Sequence, residues 1–560
     1  MTENLDLDDI QGNILRAYGG QGFPKARYVF FNVRKPAEGR RFIEALRPRI
    51  TTAARWENPK QGRPFHRGHH PRLVDAVRAK GVSDYPGEVH LTKPKVAINI
   101  AFTFYGLMAL EMPTRTLRGM PDEFIDGMER RAPVLGDTPY LDRRDAIWRN
   151  SHGDNQVHLL VSLNAEMQPD GAPIPELEIE TAWLDRLCAD SQGGVAVLRG
   201  HGPGEAPYQA LSAVLAPGVT GGLAPSNKEH FGFSDGFGDP VFEGQFPPEA
   251  EALRVVGGGK IDGAQTWLPL ATGEFLLGHP DEAQEIPGAA MPIDFSRNGT
   301  FMVYRKLHEN LGSFSDYVAS QSATYARVMG ITDADQATNT LKAKLVGRWP
   351  DGVPLMAAPT YQKWRAFQQR LAEATAADDK AELTRIAADY VDFKYRPDPV
   401  GNRCPVTSHM RRMNTRDMLD PAFSSRNPKD WNGSVLNNRR RILRRGLPYG
   451  APDASAPSDA GEHGIVFIAY CSSLFRQFEF VQQQWIQYGL DFNAGSDTCP
   501  LLGEHDDDAK FVIPPDEGSA GPPFICDRLP QLVEPRGGDY FFVPSMTALR
   551  TIGAGIVDPT

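Results

Sequence analysis

Cysteine is scarce in this chain of 560 residues: there are five, Cys188, Cys404, Cys471, Cys499 and Cys526. The number is odd, the spacings are wide and no Cys-x-x-Cys pair occurs. That argues against a disulfide framework or a thiolate zinc site and fits a reducing compartment. A long apolar run is missing as well. The most apolar stretch, Val96–Leu110, is interrupted by Asn99, Thr103 and Gly106. It is too short and too polar to cross a bilayer and reads as a buried strand running into a helix. Basic charge is not in excess: the net charge of −10 argues against nucleic acid as a main partner. The acidic start, Met1 to Asp9, lacks the basic residues and apolar core of a secretory signal. A cytoplasmic protein is therefore expected. No short-period repeat is visible.

What remains describes a soluble globular protein, 41% hydrophobic and 23% charged, long enough for two or more domains. Strands are expected at 28–33, 96–105, 157–163, 273–277, 299–305, 464–470 and 538–544, and helices at 178–189, 313–330 and 474–488. In the last helix Phe475, Phe478, Val481 and Trp485 should form one apolar stripe. Gln362–Ala388 reads as a solvated helical excursion. His158 lies in an alternating strand pattern and reads as structural. Strands mixed with helices, without regular βαβ alternation, favour α+β over doubly wound α/β. Gly200–Lys228, rich in Gly, Pro and Ala, is the expected connection between domains.

Three stretches carry possible chemistry. His230–Pro240 holds Asp235 followed by Gly236, within a loop that also contains Phe231, Phe233 and Phe237. Asp-Gly is ordinary turn chemistry. A solvated turn has no use for three phenylalanines, though, and an acid among apolar rings suits general acid–base work. Arg403–Asn414 holds His409, with Arg411 and Arg412 just after it and Cys404 just before. Taken alone, His409 reads more readily as an ordinary histidine than as a metal ligand; guanidinium beside it suits a carboxylate, and a thiolate ligand at Cys404 is an alternative. Arg439–Gly450 offers several arginines, and the pair Ile442-Leu443 suggests a strand carrying one inward. A separate group, His66, His69 and His70, would suit a metal hydrolase.

Taken together these stretches resemble the dye-decolorizing peroxidases, a heme peroxidase family. The likeness is carried by Asp9–Leu15, Gly232–Gly236, Gly273–Gly278, Phe301–Leu307, Gly347–Trp349, Cys404–Asn414, Arg441–Gly450, Gln477–Gln482 and Gly537–Ser545, in family order. The long inserts suggest a larger, elaborated branch. The resemblance implies two ferredoxin-like α+β domains with antiparallel sheets and peripheral helices, here 1–225 and 226–560, the second binding one heme b. It makes His409 the iron ligand, Asp235 the distal acid–base residue and Arg444 the distal arginine, with Arg445 as the neighbour that competes for that role. Arg411 is expected to meet the heme carboxylates, and Glu479, with Asp491 as the alternative, to accept a hydrogen bond from His409. Hydrogen peroxide and organic electron donors would be the substrates. Ser234, Phe237-Gly238-Asp239 and Thr415 depart from the family pattern, the first two at the expected pocket edge. A heme-handling protein without peroxidase turnover is the alternative reading.

Overall fold

The computed structural model describes residues 5–56, 92–204, 206–217, 222–423, 425–519 and 521–555. His66, His69 and His70 lie outside them, so the hydrolase alternative has no described site.

Stretches rich in β-branched and aromatic residues build the first half of a sheet. These are β1 (Lys25–Val33), β2 (Val96–Phe102), β3 (Leu159–Ala165) and β4 (Val195–Val197), in the order β2-β3-β1-β4 and antiparallel throughout. A short β5 (Gln209–Ser212) also pairs with β1. Helices α1 (Pro36–Leu46) and α2 (Pro175–Asp190) pack against these strands and each other. His158 lies just before β3, where its Nδ1 accepts from the Val33 amide at 2.9 Å and burial pushes its pKa down to about 4.

The second half comprises β6 (Thr300–Glu309), β7 (Leu443–Arg444), β8 (Leu447–Tyr449), β9 (Gly464–Cys471) and β10 (Val533–Val543). Its order is β7-β9-β6-β10, with β8 on β9, again all antiparallel. The pair Phe102–Phe542 joins β2 to β10, making one ten-stranded sheet. Antiparallel pairing with helices around it is the α+β, ferredoxin-like architecture expected.

Helices α3 (Leu311–Met329), α4 (Ala334–Val346) and the single-turn α7 (His409–Met413) lie over the second half; α5 (Tyr361–Ala376) and α6 (Lys380–Asp389) stand between them in sequence. The last two correct an expectation, because they are not a solvated excursion. Trp364, Phe367, Leu383 and Ile386 recur at three-residue spacing and bury against Trp349, whose ring stacks on Trp364 at 4.6 Å. The 474–488 helix is also altered. It consists of two π-helical stretches, Leu474–Glu479 and Val481–Ile486. Wider turns rotate the inward face, so Phe475 is 62% exposed while Gln477 and Glu479 are buried.

The chain ends cross between the halves. Helix α8 (Met546–Ala554) packs on α1, and Gly553 lets Glu44 approach where a Cβ would meet its carboxylate at 2.2 Å. Gln11 donates to the carbonyls of Ile100 and Pro544, and Asn13 to the Tyr470 hydroxyl.

Candidate active site

Strand alternation decides which arginine faces the helices. Arg444 pairs with Ala469 on β9, so it shares a face with Phe467 and Ile465. Arg445, one residue on, must point the other way. It is buried there, donating to the carbonyls of Asn13 and Ile14 and pairing with Asp239. Arg445 is thus part of the framework, whereas Arg444 reaches Asp235, its Nη1 lying 2.9 and 2.8 Å from the two carboxylate oxygens.

The Asp235 loop is held by its own backbone. Asp235 N–H donates to the Asn227 carbonyl, the Asn227 side chain returns a bond to the Asp235 carbonyl, and Ser234 N–H donates to Pro350. Gly236 takes φ +91°, a left-handed turn that suits glycine. The rings flanking the acid are anchored outward: Phe231 and Phe233 against Phe314, Phe237 stacked on Tyr390 at 5.3 Å.

His409 opens α7 immediately after Ser408. Its neighbours Met410 and Met413, together with Cys499, belong to the same apolar cluster as Phe231, Phe233, Leu307, Ile465 and Phe467. The His409 turn and the Asp235 loop therefore border one apolar region over the sheet. Of the Arg444 side chain 37% is open, as is 26% of Asp235. Both charged groups are therefore accessible beside that apolar region. Its apolar walls, accessible histidine and charged end fit a flat, largely apolar group carrying a metal. The Asp235 carboxylate, working against desolvation, holds Arg444 above the ordinary guanidinium range.

Two expected contacts are not made. Glu479 does not meet His409. It is 1% exposed, takes a bidentate pair from Arg131 and accepts from the Tyr540 hydroxyl at 2.9 Å. Asp491 accepts from the Trp485 indole instead. Arg411 is not available to a cofactor carboxylate. It is fully buried and committed to Asp398, the Cys404 carbonyl and the Met418 sulfur. Arg412 is likewise spent on the carbonyls of Thr407, Trp485, Tyr488 and Asp497. These arginines fix the turn that presents His409.

The alternative ligand Cys404 is buried, with its sulfur 3.2 Å from the Ser408 hydroxyl, and burial raises its pKa. That environment disfavours a thiolate. The partner that His409 does find is Cys499, whose sulfur lies 3.2 Å from Nδ1. Burial pushes this thiol up, but the imidazole and Arg412 outweigh it, and the net value falls to about 7. Sequence reasoning missed Cys499 and Asn227. An aspartate beside a turn glycine signals itself, but nothing local marks a cysteine 90 positions from its partner.

Comparison with known proteins finds relatives in sequence and in fold. The profile of the DyP dimeric alpha+beta barrel domain matches residues 9–170, and that of the Dyp-type peroxidase C-terminal region matches residues 429–494. A dye-decolorizing peroxidase of Auricularia auricula-judae is 23% identical over 98% of this chain and 86% of its own length. One from Mycena epipterygia is 26% identical over 83% of this chain and 77% of its own. The crystal structure of a fungal DyP-type peroxidase from Auricularia auricula-judae superimposes with a TM-score of 0.66 at 21% identity, covering 98% of this chain and 100% of that one. With profiles of the dye-decolorizing peroxidases matching residues 9–170 and 429–494, relatives aligned along nearly its whole length and a shared fold, the chain is similar to the dye-decolorizing peroxidases in both sequence and fold.

Proposed function

We propose that this protein reduces hydrogen peroxide and oxidises organic donors, such as dyes and phenolics, by one-electron steps, with one heme b per chain. The observation that carries this reading is the Asp235–Arg444 pair, open to the same apolar region that His409 borders. Heme supplies the redox chemistry when bound. His409 would hold it through Nε2, since Nδ1 faces Cys499. An Asp235 carboxylate oxygen takes a proton from one peroxide oxygen and returns it to the other, and the Arg444 guanidinium stabilises the charge on the departing oxygen. One solved structure of similar fold is a dye-decolorizing peroxidase in complex with 2,6-dimethoxyphenol, which supports a phenolic donor here.

The division into 1–225 and 226–560 is proposed on the grouping of the strands: β1–β5 build one half of the sheet and β6–β10 the other. A cytoplasmic location is supported by five free cysteines, four of them buried. Among the described residues no helix is long and apolar enough to cross a membrane.

The test is a visible spectrum of the hemin-loaded protein before and after one equivalent of peroxide, beside His409→Ala. The wild type should change rapidly and the variant should lose heme or hold it weakly. Full heme occupancy with an unaltered ferric spectrum in His409→Ala would remove the ligand assignment. A wild-type spectrum unmoved by peroxide would favour a heme-handling role.

A further inference from the structure

We propose that Cys499 is the positioning residue for His409, its sulfur accepting the Nδ1–H and so fixing the ring that presents Nε2 to iron. This rests on His409 being the ligand. The argument begins with proton count. A neutral imidazole carries one N–H, and a nitrogen that binds metal carries none. If Nε2 is the ligand atom, Nδ1 must hold the proton and donate it, and the atom facing Nδ1 at 3.2 Å is the Cys499 sulfur.

Among the described residues no carboxylate hydrogen-bonds that nitrogen. Glu479 is held by Arg131 and Tyr540, Asp491 receives the Trp485 indole, and the Asp497 carboxylate pairs with Lys510 at 3.1 Å. The sulfur is fixed in place. Cys499 is fully buried, its N–H donates to the Ile486 carbonyl, and its own carbonyl accepts from Gly503 N–H and faces the His505 ring at 2.9 Å. Arg412 ties the same segment to the His409 turn, since it bonds the Asp497 carbonyl while projecting from α7. Ring and sulfur are therefore located by one framework.

Metal-bound histidines ordinarily donate to a carboxylate, a backbone carbonyl or water, and a carboxylate raises the basicity of the ring. The sulfur of a neutral thiol is a weaker acceptor than a carboxylate oxygen. In this protein the imidazole should therefore push less electron density toward the iron than a histidine–carboxylate pair would, leaving the ferrous state comparatively accessible.

The experiment uses the full chain loaded with hemin and the variants Cys499→Asp, Cys499→Ser, Cys499→Ala and His409→Ala. It reads the ferric/ferrous midpoint potential and the iron–histidine stretch of the ferrous form by resonance Raman. Cys499→Asp should favour ferric over ferrous by about tenfold or more, a fall of about 59 mV per tenfold for one electron, and raise the stretching frequency. Cys499→Ala should broaden the stretch and weaken heme binding about 10- to 100-fold. Cys499→Ser keeps a small hydrogen-bonding group and should lie between wild type and Cys499→Ala in heme affinity. It also keeps the test open if the aspartate variant does not fold. Wild-type potential, stretch and affinity in the folded Cys499 variants would overturn the inference while leaving His409 as ligand. Full heme retention by His409→Ala would instead overturn the ligand assignment, and the inference with it.

Discussion

Replacing Arg444 by leucine removes a guanidinium whose Nη1 lies within 2.9 Å of both Asp235 oxygens, and keeps an apolar stem of similar reach. A preorganised donor aimed at developing charge contributes about 2.7–4 kcal/mol, or roughly 10²–10³ in rate. That is the slowing expected in the reaction of hemin-loaded protein with peroxide, followed by stopped flow. The cost in stability should be much smaller. Breaking a fully buried pair costs about 3–5 kcal/mol. Here the side chains are 37% and 26% open, so solvent screens the residual carboxylate and about 1 kcal/mol is expected. Arg445→Leu is the matched control. It strands the carbonyls of Asn13 and Ile14, so it should lose roughly 2–4 kcal/mol of stability while the rate per bound heme changes little. A heme-replete Arg444→Leu reacting at the wild-type rate, or a folded Arg445→Leu with the larger rate defect, would refute the reasoning.

Asp235→Asn keeps the shape of the loop but cannot accept a proton, so it should retain heme and lose most of the peroxide rate; equal rates across acid pH would make Asp235 a turn residue only. In the wild type, a carboxylate base should keep the reaction running below the range, about pH 6.5, where a histidine base fails. Glu479→Ala leaves Arg131 and the buried Tyr540 hydroxyl without their acceptor, and should cost about 3–5 kcal/mol in denaturant unfolding with an unaltered heme spectrum. A spectral shift without destabilisation would return Glu479 to the heme. Burial raises Asp539 from 3.8 to about 6. Because the folded value is the higher, its contribution to stability is complete below about pH 4 and is lost as pH rises through about 6. Asp539→Asn should therefore gain on the wild type between those pH values, by roughly 2–3 kcal/mol, since one unit is about 1.4 kcal/mol. A stability difference that does not vary with pH would show that Asp539 does not titrate there.

The parts of the site that follow short-range rules were legible in the sequence. Asp235 beside Gly236 signals a sharp turn, and Arg444 following Ile442-Leu443 signals a strand residue whose direction period-2 alternation then separates from Arg445. Val96–Leu110 does divide into a strand and the helix Phe104–Ala109. Where side chains meet across long loops, the sequence carries no such rule. Glu479 is drawn away by Arg131, 348 positions earlier, and nothing in either neighbourhood announces the pairing. Arg411 looked free because arginines are seldom fully buried, yet Asp398 and the Cys404 carbonyl compensate it. The wrong face for Phe475 came from assuming 3.6 residues per turn in a π-helical segment.

The crossing of the chain ends bears on how the protein is made. The apolar face of α1, near residue 46, is covered by a helix that begins at residue 546. At about 5–20 residues per second, the ribosome needs roughly 25–100 s to synthesise the intervening chain. Throughout that interval the first half of the sheet lacks both its cover on α1 and its neighbour β10. A nascent chain of this length thus presents an unfinished sheet edge for many times longer than elementary folding steps take, and its yield in cells should depend on chaperones that occupy that edge until the final helix leaves the tunnel.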